Sequence, residues 1–175
     1  MSVTQQSEKR NLFYALGNIS LLALFAMFLG VVAVGDAVAG EKFKARGVKY
    51  VVKFEPVNVG DEEGHVVGVF EAKGVHNNMQ EKKFLDGWAC HEMGVIDTNL
   101  KTGSGNAHGY QEIWDQDGDK IFMNWKGVSG KGEWSFFKGT GKFEGIRGQG
   151  TWTVQHPDPM LSVSDWEGEA ELRRR

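Results

Sequence analysis

The stretch AHGYQEIWDQDGDKIFMNWKGVSGKGEWSFFKGTGKFEGIRGQGTWTV, residues 107–154, decides the fold of this 175-residue chain. Asp117 and Gly118 lie between two runs of aromatic and β-branched residues, a pattern typical of a two-residue hairpin turn. Side chains alternate across a strand, so this turn places six residues on one face: Tyr110, Glu112, Trp114, Ile121, Met123 and Trp125. The face is the more apolar of the two and is predicted to point inward, which leaves Glu112 as a carboxylate among aromatic side chains.

The composition and the residue pattern of the whole chain predict an all-β domain. It has 24 glycines, 11 phenylalanines, six tryptophans and three prolines, a composition typical of a turn-rich β protein. Alternation predicts about eight short strands and no helix of three turns after the N-terminal region. In the first strand, residues 48–54, Lys49 is assigned to the wet face. Antiparallel sheets with one wet face have exposed edges unless they close, so we predict an eight-stranded antiparallel β-barrel over residues 48–175.

The N-terminal region predicts export. Residues 19–35 carry no charge, and Ala37, Val38 and Ala39 form the small-x-small pattern of a signal peptidase site. We predict a hydrophobic leader helix that acts as a signal peptide over residues 1–39, a linker over 40–47, and a secreted or periplasmic barrel. The alternative is an uncleaved anchor, because residues 12–16 lengthen the apolar run enough to cross a bilayer. Both place the barrel outside the cytoplasm.

Several classes of site are disfavoured by the sequence. A net charge of −3 lacks the basic surplus of a nucleic-acid-binding protein. A single cysteine, Cys90, allows no intramolecular disulfide, thiolate zinc site or covalent haem. In the loop 115–119 a glycine precedes the third acid, unlike a calcium-binding EF-hand. The five histidines are not spaced as ligands on a strand, and no dinucleotide or phosphate-loop motif is present. We therefore predict neither a metal nor a cofactor.

The segment GTGKFEGIRGQ, residues 139–149, resembles a G-x-G-x-F-x-G-x-x-G run of the allene oxide cyclase-like barrels, which include bacterial members of unknown function and, more remotely, dirigent proteins. The run is occupied by Gly139, Gly141, Phe143, Gly145 and Gly148. The resemblance implies an eight-stranded, lipocalin-like barrel with a cavity, and a homo-oligomer. In the plant cyclases, an aromatic pocket with a carboxylate, a cysteine and bound water surrounds a fatty-acid epoxide. Cys90 falls where those enzymes carry the cysteine, but their catalytic glutamate and water-holding asparagine find no match, so the activity does not carry over.

Three functions remain open. The first is an extracytoplasmic barrel that binds a small, mostly apolar molecule. Its candidate ligand-binding residues are Trp88, Cys90, Tyr110, Glu112, Trp114, Met123, Trp125, Trp134 and Trp166. The second is a cyclase- or isomerase-type enzyme for a reactive, fatty-acid-like substrate, with Glu112 as the candidate catalytic acid or base. The third is a structural or interaction protein whose barrel is filled by side chains. The alternative for Glu112 is a solvent-exposed or ion-paired position at the barrel mouth. The alternative for Cys90 is a small, buried apolar side chain without a chemical role.

Overall fold

A computed structural model describes residues 40–172 as a closed antiparallel barrel of eight strands, which confirms the predicted fold class. The strands are β1 (Glu41–Asn58), β2 (His65–Asn78), β3 (Trp88–Asn99), β4 (Ser104–Trp114), β5 (Lys120–Val128), β6 (Lys131–Gly139), β7 (Arg147–Asp158) and β8 (Leu161–Glu171). A one-turn 3-10 helix, Gly141–Phe143, precedes β7. Each strand pairs with the next, and β8 pairs with β1. Residues 41–47, assigned above to a linker, form the first part of β1. The predicted leader, residues 1–39, lies outside the described residues.

Within residues 40–172, no helix is long and apolar enough to cross a membrane.

Tryptophan rings lie over inward-facing glycines across much of the barrel interior. A β-carbon added at Gly150 would lie 2.6 Å from Trp134 Cζ2 and 2.0 Å from the Glu167 carbonyl oxygen. Trp125 covers Gly109 in the same way, and a β-carbon there would lie 2.8 Å from its ring. Tryptophan rings lie in this way against Gly94, Gly109, Gly127, Gly150 and Gly168. Large residues packed against glycines therefore fill this part of the barrel with side chains.

An aromatic plug closes the end of the barrel where β2 meets β3 and β6 meets β7. Phe84, from the segment between β2 and β3, packs its ring 5.1 Å from Phe43 and 5.3 Å from Trp88. Phe143, from the glycine-rich loop, packs 5.1 Å from Trp88 on the other side. Lys142 in the same loop pairs with Asp115 at 2.5 Å, which ties the loop to the turn between β4 and β5. The glycine-rich segment thus contributes to the fold by delivering a buried ring.

We expect Gly150→Ala to destabilise the protein by about 1–3 kcal/mol, because the new methyl group must displace the Trp134 ring and main-chain atoms of β8. Urea unfolding measures the change. Gly60→Asn is the matched control, because Gly60 has a φ of +87° and no atom within 4 Å of its added β-carbon, and asparagine tolerates that backbone. Equal stability of the Gly150 variant and the parent would contradict the packing described here.

The predicted turn between β4 and β5 is wrong by one residue. The pairs are Ile113 with Ile121 and Gln111 with Met123, so the loop is longer than two residues. The main-chain N–H of Gly118 donates to the Asp115 carbonyl at 3.2 Å, and the φ of Gly118 is +82°. This is a type I turn followed by a left-handed glycine, the usual three-residue hairpin loop. A one-residue slip reverses every side chain of the shifted strand, so Gln111 and Ile113 point inward.

Candidate functional site

Polar side chains from β1 to β4 occupy the barrel interior beside Trp125 and Trp166. We call five of these buried residues the interior polar cluster: Lys49, His76, Cys90, Glu92 and Gln111. They come from β1, β2, β3 and β4, and their positions follow from alternation within each strand. On β3, for example, Trp88, Cys90 and Glu92 share one face. Ser162 and Ser164 of β8 are also buried.

Lys49 and Glu92 form a buried ion pair. Their side chains are 5% and 9% exposed, and Lys49 Nζ donates to Glu92 Oε2. Lys49 crosses β2 to reach Glu92, and Gly74 leaves the room: a β-carbon there would lie 2.8 Å from Lys49 Cγ. The ammonium lies 5.4 Å from the centroid of the Trp166 ring. A buried ion pair seldom adds stability unless further hydrogen bonds satisfy both partners, and among residues 40–172 Lys49 Nζ donates to Glu92 alone.

His76 is neutral and lies against Gln111. Burial, and then the charge of Lys49, lower the pKa of His76 to about 3. The His76 Nε2 atom lies 3.2 Å from Gln111 Oε1, so the ring's one N–H belongs on Nε2, where it donates to this oxygen. The other ring nitrogen, Nδ1, then presents a lone pair to the interior. Gly47 makes room for the ring, because a β-carbon there would lie 2.9 Å from His76 Cε1.

Three buried polar atoms in this part of the described barrel have no nitrogen or oxygen partner: His76 Nδ1, Gln111 Nε2 and Trp125 Nε1. The Gln111 side chain does interact with the Cys90 sulfur, which is only a weak acceptor. Gln111 is the strand partner of Glu92, and Trp125 pairs with Gly109, two residues before Gln111 on the same face. Burying such atoms without partners costs about 1–3 kcal/mol each, and folded proteins keep few of them. These atoms offer one acceptor and two N–H donors to a molecule inside the barrel.

Cys90 is a buried thiol rather than a thiolate. Burial is the main cause that raises its pKa, to about 11. A neutral thiol is a poor nucleophile, so the geometry favours a packing role for Cys90 beside Gln111. Within residues 40–172, no group of three or more histidine, cysteine, aspartate or glutamate side chains is arranged to hold a metal ion.

The structure divides the predicted site residues between the two sides of the wall. Six of them are buried and point inward: Trp88, Cys90, Met123, Trp125, Trp134 and Trp166. The inward placement of the other three, Tyr110, Glu112 and Trp114, is wrong because of the register of β4. Tyr110 is 59% exposed. Glu112 pairs with Lys120 on the outer surface, so it is not a desolvated pocket acid. Ligand binding by the inward-facing candidates stays a prediction.

Sequence reasoning missed Lys49, His76, Glu92 and Gln111. The first strand was assigned the opposite faces: Lys49 is buried, whereas Tyr50 is 60% exposed. β1 begins at Glu41, and its inward residues run from Phe43 through Ala45 and Gly47 to Lys49, a pattern hidden by the exposed valines that follow. The inward position of Glu92 could have been predicted from the sequence, because Glu92 lies on the same face of β3 as Trp88 and Cys90.

The fold resembles several solved structures. No protein-family model and no curated protein matches the sequence. The pterocarpan synthase dirigent protein GePTS1 is 11% identical with a TM-score of 0.49, covering 82% of this chain and 95% of that one. A second pterocarpan synthase dirigent protein, PsPTS1, is 9% identical with a TM-score of 0.48, covering 78% and 99%. The exo-specific intermolecular Diels-Alderase AbnU is 14% identical with a TM-score of 0.42, covering 74% and 99%. These likenesses concern the barrel shape and transfer no ligand or reaction to this chain.

Proposed function

We propose that the protein binds a small, uncharged, largely aromatic or apolar molecule inside the barrel, with its oxygen-bearing group on the interior polar cluster. One observation carries the proposal: three buried polar atoms, on His76, Gln111 and Trp125, lack nitrogen or oxygen partners on strands that also hold or adjoin a buried ion pair. Binding sites for small molecules combine apolar walls with a few placed polar groups of this kind.

The charge of the cluster argues for an uncharged ligand. Lys49 and Glu92 neutralise each other, and His76 is neutral, so the cluster has no net charge to offer a carboxylate or an ammonium group. Gln111 Nε2 and Trp125 Nε1 supply donors for a carbonyl or hydroxyl oxygen, and His76 Nδ1 supplies an acceptor for a hydroxyl group. The rings of Phe70, 6.1 Å from Trp125, and of Trp166, 5.4 Å from His76, add apolar groups beside these polar atoms.

This proposal refines two of the sequence hypotheses. The first hypothesis was a mostly apolar ligand. We now expect that ligand to carry a polar group as well, because only one side of the barrel interior is apolar. The hypothesis of a barrel filled by side chains describes the region where tryptophans cover glycines. It does not account for the buried residues of the interior polar cluster. The glycine-rich run at 139–148 supports a distant relation to the allene oxide cyclase-like barrels and their bacterial members. The uncharged run and the small-x-small pattern within residues 19–39 support an extracytoplasmic location.

A matched series of naphthalene, 2-naphthol, 2-acetylnaphthalene and 2-naphthoate tests the binding proposal by ligand-observed NMR titration. We expect the hydroxyl and carbonyl compounds to bind at least about tenfold more tightly than the hydrocarbon and the anion, a difference of about 1.4 kcal/mol. Gln111→Met should remove that preference, whereas Tyr110→Phe, on the outer face of the same strand, should leave it unchanged. No binding by any member, or equal binding by all four, would refute the proposal.

A further inference from the structure

We infer that the interior site takes an aldehyde or ketone and holds it covalently as an imine on Lys49. The inference rests on the proposed function and names the ligand class. Lys49 differs from the other paired lysines of residues 40–172: its side chain is 5% exposed, whereas that of Lys82, the next least exposed in an ion pair, is 37% exposed. Buried lysine amines form imines with carbonyl compounds, and a neighbouring carboxylate can accept the proton that the ammonium group must lose first.

Lys49 lies towards the end of the barrel opposite the aromatic plug. Lys49 lies six residues along β1 from Phe43 of the aromatic plug, about 20 Å at the rise of an antiparallel strand. The pairing of β1 with β8 ends one residue further, at Tyr50 and Leu161. The Lys49 amine is therefore buried inside the barrel, but Lys49 lies close to the end of the hydrogen-bonded pairing between β1 and β8.

Glu92 supplies the proton transfers that the reaction needs. Lys49 Nζ passes one proton to Glu92 Oε2, its hydrogen-bond partner, and becomes a neutral amine. The amine lone pair attacks the carbonyl carbon and forms the C–N bond. Glu92 returns the proton to the oxygen, which becomes a hydroxyl group. Glu92 then takes a second proton from the nitrogen, now cationic, and passes it to the hydroxyl group, which leaves as water while the freed nitrogen lone pair forms the C=N bond. The sum is ammonium plus carbonyl giving iminium plus water, with no oxidant or reductant.

The ion pair favours this chemistry over acyl transfer to the same amine. An iminium keeps the positive charge, so the buried Glu92 carboxylate keeps its counter-ion. An amide would be neutral and would leave Glu92 as an isolated buried charge, which folded proteins avoid. The free N–H groups of Gln111 and Trp125 are the donors available to the carbonyl oxygen before it leaves. Cys90, the other interior nucleophile, is a neutral thiol and competes poorly.

Reductive trapping tests the inference on the full-length chain. The protein is incubated with limiting 2-naphthaldehyde and sodium cyanoborohydride, and each lysine's labelling rate is followed by peptide mass spectrometry. We expect Lys49 to be labelled at least about tenfold faster than any exposed lysine, because the amine and the aldehyde are held together. Excess 2-naphthol should slow labelling of Lys49 alone. Lys126→Met, which removes an exposed lysine, should leave the rate at Lys49 unchanged.

Two outcomes separate this inference from the proposed function. If 2-naphthol binds but Lys49 is labelled no faster than exposed lysines, the imine is refuted and the binding site stands. If 2-naphthol does not bind and Lys49 is not labelled, both fail. The double variant Lys49→Met/Glu92→Leu removes the amine without leaving a lone buried charge. In that variant, continued fast labelling of an interior position would also overturn the assignment to Lys49.

Discussion

Replacing Glu92 alone by leucine should lower the free energy of unfolding by about 3–5 kcal/mol, because the Lys49 ammonium then stays buried without its carboxylate. The double variant Lys49→Met/Glu92→Leu should recover most of that loss, since two apolar groups of similar size need no partners. Urea unfolding of the parent, both single variants and the double variant gives the coupling between the two residues.

The exposed pair of Lys44 and Glu167 is the matched control for this cycle. Their side chains are 52% and 60% exposed, so Glu167→Gln should change the free energy of unfolding by less than about 1 kcal/mol. A loss below 1 kcal/mol for Glu92→Leu would show that Lys49 finds water when its partner is removed, and it would contradict the buried position assigned to the pair.

The second large effect concerns His76 and Gln111. The double variant His76→Leu/Gln111→Met should be at least as stable as the parent at pH 7, because it removes two buried atoms that have no partners. It should also bind 2-naphthol at least about tenfold more weakly, since that molecule's hydroxyl group loses both its acceptor and a donor. A gain in stability together with a loss of binding is typical of residues kept for function.

The same variant has a distinct pH signature. The folded-state pKa of His76 is lowered to about 3 from an ordinary value of 6.5, so below pH 6.5 the unfolded chain binds a proton that the folded chain excludes. The parent should therefore lose about 1.4 kcal/mol per pH unit, relative to the double variant, as the pH falls from 6 towards 4. Urea unfolding at pH 7, 5.5 and 4.5 measures this difference. Equal slopes in parent and double variant would contradict a buried, neutral His76.

The strand pattern was predictable, but the contents of the barrel were predictable only in part. Alternation and composition indicated eight strands and placed Trp88, Cys90 and Trp125 inside. The faces of β4 were not determined, because Asp117 and Gly118 fit both a two-residue turn and the end of a three-residue loop. Asp115, whose carboxylate accepts the main-chain N–H groups of Asp117 and Asp119, was the signal for the longer loop. That one-residue difference moved Glu112 to the surface and brought Gln111 into the site.

The polar cluster was harder to predict than the aromatic core for a physical reason. A lysine or glutamate between apolar residues is usually on the wet face of a strand, since an isolated buried charge is costly. Lys49 and Glu92 are exceptions because each meets the other across Gly74, on a strand between them. The pairing of β2 with both β1 and β3 brings the two residues within reach of each other. The alternation of polar and apolar residues within β1 or within β3 does not reveal that Lys49 and Glu92 pair with each other.

A high-resolution crystal structure of the protein shows whether the barrel interior holds a binding site. We expect electron density for water or a small molecule within about 2.7–3.2 Å of His76 Nδ1, Gln111 Nε2 and Trp125 Nε1, with the Lys49–Glu92 pair beside it. An interior in which these three atoms hydrogen-bond to protein groups, and side chains fill the space between them, would contradict it. That result would leave a barrel held together by its tryptophans and glycines, with no site inside.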